Sequence, residues 1–130
     1  MSSIFESAMR SKVTIVLDEN LRQLRAALED SGFRVLEFKS GTKDPDLIPH
    51  LTGRAILTKN TEDFKIDAVI HDFDIISIEN IAFVDNKKDR SNETAKKIAH
   101  AVRHSGFTSK RGNWLLSIMN DGKWSLSELL

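Results

Sequence analysis

Cysteine is absent from this 130-residue chain. That excludes disulfides and thiolate zinc sites, and it fits a reducing, cytoplasmic setting. Long hydrophobic runs are missing too. Nothing approaches the roughly 18 consecutive apolar residues of a membrane span, and the first residues lack the apolar stretch of a signal peptide. The expectation is a soluble, intracellular protein with no membrane partner. Proline occurs only at Pro45 and Pro49, and net charge is zero, 19 bases balancing 19 acids. What remains is ordinary globular material, 40% hydrophobic and 29% charged, too rich in Leu, Ile, Val and Phe for a disordered chain. The length suits a single domain spanning 1–130.

Charge is uneven along the chain. Residues 1–85 hold 15 acids and 10 bases, whereas residues 86–130 hold 4 acids and 9 bases. This asymmetry of about −5 against +5 is compatible with a nucleic-acid or acidic partner, and equally with a scattered solvated surface.

The organising stretch is Val13-Thr14-Ile15-Val16-Leu17-Asp18-Glu19-Asn20. A continuous β-branched and aliphatic run marks a strand covered on both faces, and the acids follow at its carboxyl end. Asn20 with Gln23 three residues on reads as a capping box. Leu21, Leu24, Ala27 and Leu28 then recur at helical spacing up to a stop at Gly32. Further strands are expected from Arg34 to Phe38, Ala55 to Thr58 and Asp74 to Ile78, with Ile81–Val84 extending the last or forming a fifth. Asp44-Pro45-Asp46 opens a short helical turn. Thr61, read as an N-cap, begins a helix with Phe64 in its first turn and Ile66, Val69, Ile70 and Phe73 along one face. Strand starts spaced by roughly 20 residues predict parallel strands joined by helical crossovers, an α/β fold of four to five strands.

Residues 13–85 form this α/β core, and 86–130 add a C-terminal helix and β-hairpin. The helix begins at Ser91 or Asn92, turns Ala95, Ile98, Ala99 and Val102 inward, and ends at Gly106. Asp121-Gly122 marks the hairpin turn, with the hairpin packed on an edge of the main sheet or supplying a partner surface.

In an open parallel sheet, ligands bind outside the strand carboxyl ends where the strand order reverses. Asp18 and Glu19 follow the first strand, Asn60 and Asp63 the third, and Asp44 and Asp46 open the intervening helix. Clustered carboxylates repel, by on the order of 4 kcal/mol for a pair about 4 Å apart at an effective dielectric of 20, so some must protonate or a cation must sit between them. Hard oxygen donors favour Mg²⁺ or Mn²⁺ over zinc. Each acid also has a plain structural reading as a cap, a first-turn acid or a solvated side chain. The neighbouring His71, Asp72 and Asp74 read as solvated at a helix-to-strand junction.

Leu17-Asp18-Glu19-Asn20-Leu21, the Asp44-x-x-Leu47 helix start and Ile56-Leu57-Thr58-Lys59-Asn60-Thr61-Glu62-Asp63-Phe64 resemble the PIN-like domain family, in particular its small bacterial members and the PIN toxins of toxin–antitoxin modules. The likeness covers residues 13–80. It implies a three-layer, Rossmann-like sheet and a metal-dependent ribonuclease. Asp18, Asp44 and Asp63 would be the catalytic and metal-ligating acids, with Glu19, Asp46, Thr58 and Asn60 in support. RNA is the implied substrate, and a cognate protein partner and a homodimer remain open. Many small PIN-like proteins carry an acid where this chain has Asn60, which leaves a catalytically weak or inactive binding module, immunity- or antitoxin-like, as the alternative. A phosphoacceptor receiver is a third reading, set against the lack of an acid directly ending the second or third strand. Lys96, Lys97, Arg103, Lys110 and Arg111, with Trp114 nearby, are candidates for a nucleic-acid or partner surface.

Overall fold

The computed structural model describes residues 13–37, 48, 51–81, 90–110 and 113–129. The side chain of Glu19, together with Asp44, Asp46, Arg111 and the stretches 1–12, 38–47 and 82–89, lies outside the described residues. Six strands form one sheet: β1 (Thr14–Leu17), β2 (Arg34–Glu37), β3 (Ala55–Thr58), β4 (Asp74–Asn80), β5 (Trp114–Met119) and β6 (Trp124–Glu128), in the order β2-β1-β3-β4-β5-β6. The first five run parallel, and β6 pairs antiparallel with β5. The class is therefore α/β with a mostly parallel sheet and flanking helices. It exceeds the expected four to five strands because β5 and β6 both join the sheet, at the edge beside β4, one of the two places expected for them.

Alternation along each strand decides which residues face which side. In β1, Ile15 and Leu17 join one buried cluster while Val16 joins the other. Helices α1 (Arg25–Asp30) and α3 (Ser91–Ser105) cover the first face, where Leu28, Ile98 and Ala101 are fully buried. Helix α2 (Lys65–His71) covers the other with Phe64, Ala68 and Phe73. Each fully buried Ile or Leu contributes about 1.5–3 kcal/mol relative to exposure, so the two clusters together hold the sheet between its helices.

Local expectations fared differently. The inward stripe Ala95, Ile98, Ala99 and Val102 of α3 is buried as read. Gly32 and Gly106, both at positive φ, follow the ends of α1 and α3. Asn20 does not cap a helix. The Asp18 carbonyl accepts the Leu21 N–H at 2.9 Å, which draws Glu19 and Asn20 into a tight 3₁₀ turn over Glu19–Leu24 before α1 begins.

The stripe read for α2 is overturned at Ile66 and Ile70, while Phe73 is buried as read. Ile66 and Ile70 are 75% and 65% exposed, while Ala68 is fully buried. Two residues on either side of Ala68 lie about 200° round the helix, so once Phe64 and Ala68 face the sheet both isoleucines must face solvent. Among the described residues no helix is long and apolar enough to cross a membrane.

Candidate functional site

The strand order turns at β1, with β2 on one side and β3 on the other, so the switch point lies at the carboxyl ends of β1 and β3. Asp18 stands there. Its backbone N–H donates to the Leu57 carbonyl at 3.1 Å, continuing the ladder one residue past β1. Its carboxylate accepts a hydrogen bond from Thr58 Oγ1 at 2.8 Å, and that hydroxyl in turn accepts the Asn60 N–H at 2.9 Å. Thr58 is completely buried and Asp18 half-buried. The hydroxyl thus has one donor and one acceptor with no choice left, which fixes the Asp18 carboxylate from beneath.

The row continues across the sheet. Thr58 pairs in register with Ser77 on β4, and the alternation along β1, β3 and β4 puts Asp18, Thr58, Ser77 and Glu79 on the face that α2 covers. Thr61 Oγ1 is hydrogen-bonded to Ser77 Oγ at 2.7 Å and to the accepting carboxylate of Glu79 at 2.9 Å. Both hydroxyls are nearly inaccessible, while Glu79 itself is exposed at the strand end. Thr61 is therefore not a helix cap. Its hydroxyl is a buried link between the 3₁₀ turn Thr61–Phe64 and β4.

Glu79 is the acid that the sequence reading missed. The signal available was Ser77-x-Glu79 at strand spacing near the end of β4, but only the register with Thr58 gives it meaning. Lys59 reaches the same edge and donates to the Ile81 carbonyl at 3.0 Å, bridging the ends of β3 and β4.

Asp63 is exposed, with its N–H on the Asn60 carbonyl at 3.1 Å. Among the described residues no three of His, Cys, Asp and Glu gather closely enough to hold a metal ion. Asp44 and Asp46 fall outside those residues. The donors on the row, two carboxylates flanking buried hydroxyls, are hard oxygens of the kind that suit Mg²⁺ or Mn²⁺. Glu37 does end β2, contrary to expectation, but on the opposite face, where Arg22 and Arg25 engage its carboxylate.

At the amino edge the picture is different. Asp74, expected to be solvated, is half-buried and accepts the Trp114 N–H at 2.8 Å. Burial pushes its carboxyl up to about 6; the Trp114 hydrogen bond opposes this shift and nearby Asp72 adds to it. The Asn113 side chain donates to the Ala68 and Phe73 carbonyls and to the Asp72 carboxylate, tying β5 to the end of α2. These acids bind the start of β5 to that of β4.

The basic candidates do not form one surface. Arg103 donates to the Ser31 carbonyl at 3.3 Å, and Lys110 lies 5.5 Å from the centre of the Trp114 ring. Lys96 and Lys97 line a different groove, beside the β5–β6 turn and Trp124. Trp114, packed against the core, is the wrong tryptophan for them. No protein-family model, no curated protein and no solved structure matches this chain.

Proposed function

We propose that the carboxyl edge of the sheet is the active edge of a metal-dependent ribonuclease of PIN-like type, with a three-layer, Rossmann-like arrangement of sheet and helices and a role as the toxin of a toxin–antitoxin module. The observation that carries this reading is the Asp18 carboxylate, held by a buried threonine at the switch point of a parallel sheet. Asp18, Asp44 and Asp63 are the proposed ligands of Mg²⁺ or Mn²⁺. When bound, the cation supplies an activated water for attack on a phosphodiester.

The chain's own contribution is orientation. Thr58 donates to Asp18 and so holds its carboxylate in place, while Asn60 fixes that hydroxyl through its backbone rather than its side chain. Thr61 and Ser77 hold Glu79 at the same edge, where it is a further candidate ligand or base. Purified protein is expected to cleave single-stranded RNA with Mn²⁺, to stop with a chelator, and to lose cleavage in Asp18→Asn. Equal cleavage by that variant rules the proposal out.

One observation favours a second reading. Asn60 brings an amide where many small PIN-like proteins carry an acid, so the edge has one negative charge fewer with which to attract a cation. The alternative is a catalytically inactive module that docks a protein, as an immunity or antitoxin component does. Calorimetry decides between them: Mn²⁺ binding abolished by Asp18→Asn supports the nuclease, and no binding of Mg²⁺ or Mn²⁺ supports the module.

A further inference from the structure

A second feature of the carboxyl edge is independent of Asp18. Between α3 and the β5–β6 turn runs an open groove of about 650 Å³, lined by Lys96, Lys97, His100, Asp121, Lys123 and Trp124. We propose that this groove binds single-stranded nucleic acid, its lysines following the phosphates and Trp124 offering its ring to a base.

Three lysines face one aspartate there, so the groove is cationic. Among the described residues, the ion pair within it, Lys123 with Asp121 at 3.9 Å, joins two exposed groups and neutralises little. The walls are joined to one another. The Lys97 ammonium donates to the Asn120 carbonyl, and Gly122, at a φ of 90°, brings the turn close to the Lys97 stem. The Met119 N–H donates to Lys123 and the Gly122 N–H to Met119, which closes the turn.

Trp124 belongs to neither buried cluster and is 36% exposed. About a third of this large side chain therefore stays open beside the lysines. An acidic peptide would satisfy the cations and leave the ring unused, whereas a single strand presents a regular anionic backbone and a flat base at every step.

The position adds a second argument, which rests on the nuclease reading. β5 ends on the same edge as β1, and Trp124, the first residue of β6, lies four inter-strand spacings from β1, or about 19 Å. That is the span of about six stacked nucleotides at ~3.4 Å each, so a strand seated on Trp124, on the α3 face, reaches Asp18 by crossing the carboxyl edge to the α2 face.

The test is fluorescence anisotropy of the full chain with labelled oligouridylate and oligodeoxythymidylate of about 12 nucleotides, in chelator so that no cleavage intervenes. Expected is binding that weakens with salt at a log–log slope of about −2, the value for three phosphate contacts on a single strand. Trp124→Ala should lose about tenfold in affinity or more, and Trp124→Phe should recover most of it. The double variant Lys96→Glu, Lys123→Glu should bind more weakly and with a shallower slope. In a Trp114→Phe chain, whose one remaining tryptophan is Trp124, the oligonucleotide should quench the fluorescence. Undiminished binding by Asp18→Asn separates the groove from the nuclease, whatever happens to cleavage.

No binding at low salt overturns the proposal. So does equal binding by folded Trp124→Ala, or loss of binding in Asp18→Asn, which would seat the strand at β1 instead. Polyglutamate binding as tightly as the oligonucleotide, with Trp124→Ala indifferent, overturns it in favour of an acidic protein partner.

Discussion

The two edges of the parallel sheet each carry an aspartate in a fixed setting, and the settings are opposite in kind. Asp18, at the carboxyl edge, is met by a buried hydroxyl that orients it at the switch point. Asp74, at the amino edge, is met by a backbone N–H that offsets only part of the cost of burial, so its carboxyl rises to about 6. The difference teaches that a perturbed carboxyl is not by itself a functional one. At Asp74 the shift accompanies a clamp between β4 and β5, while the better candidate for chemistry is the acid held by a side-chain hydroxyl where strand order reverses.

The comparison breaks most severely if Asp18→Asn cleaves RNA like the parent, since cleavage should fall below detection. Next in size is Thr58→Val, which keeps the shape but removes the donor to Asp18 and the acceptor of the Asn60 N–H. Cleavage should drop by about 10- to 100-fold, as for other partners that orient a ligand. Stability should fall by about 1–3 kcal/mol in urea melts because a backbone donor is left unpaired. Unchanged cleavage with the expected loss of stability would reduce Thr58 to a structural residue.

Asp74→Asn sharpens the other side. A carboxyl whose folded pKa is raised from 3.8 to about 6 contributes stability below pH 3.8 that is lost as pH rises through about 6. Above that pH the buried charge penalises the folded chain, and the asparagine, which still accepts the Trp114 N–H, does not. The variant should therefore gain most over the parent near pH 7, and the gap in urea midpoint should shrink toward pH 4. A gap that stays constant across this range would show that Asp74 is not the titrating group. Smallest of all should be Ile66→Lys or Ile70→Lys, within about 0.5 kcal/mol of the parent, because neither side chain is packed. A loss above about 2 kcal/mol would mean that α2 buries this face against something, such as a second copy of the chain.

Much of the strand framework was legible from residue pattern alone because it depends on near neighbours. The aliphatic run into Asp18, the glycine stops at Gly32 and Gly106 and the stripe of α3 each need only a period and a breaker residue. Helix α2 was misread for a related reason. Seven residues with apolar side chains on two faces do not say which face wins, and Phe64 with Phe73 settled it through contact with β3 and β4.

What the sequence determined by itself is the α/β class, the parallel strands β1 to β4, and Asp18 at the carboxyl end of the first, since alternation and helix punctuation are local properties of the chain. What only the tertiary structure decided is company. It set Thr61 and Ser77 on Glu79, Lys97 beside Trp124 rather than Trp114, and Asp74 beneath the start of β5. Those partners are 16 to 40 residues apart, and register between strands, which no local period encodes, is what brings them within hydrogen-bonding distance.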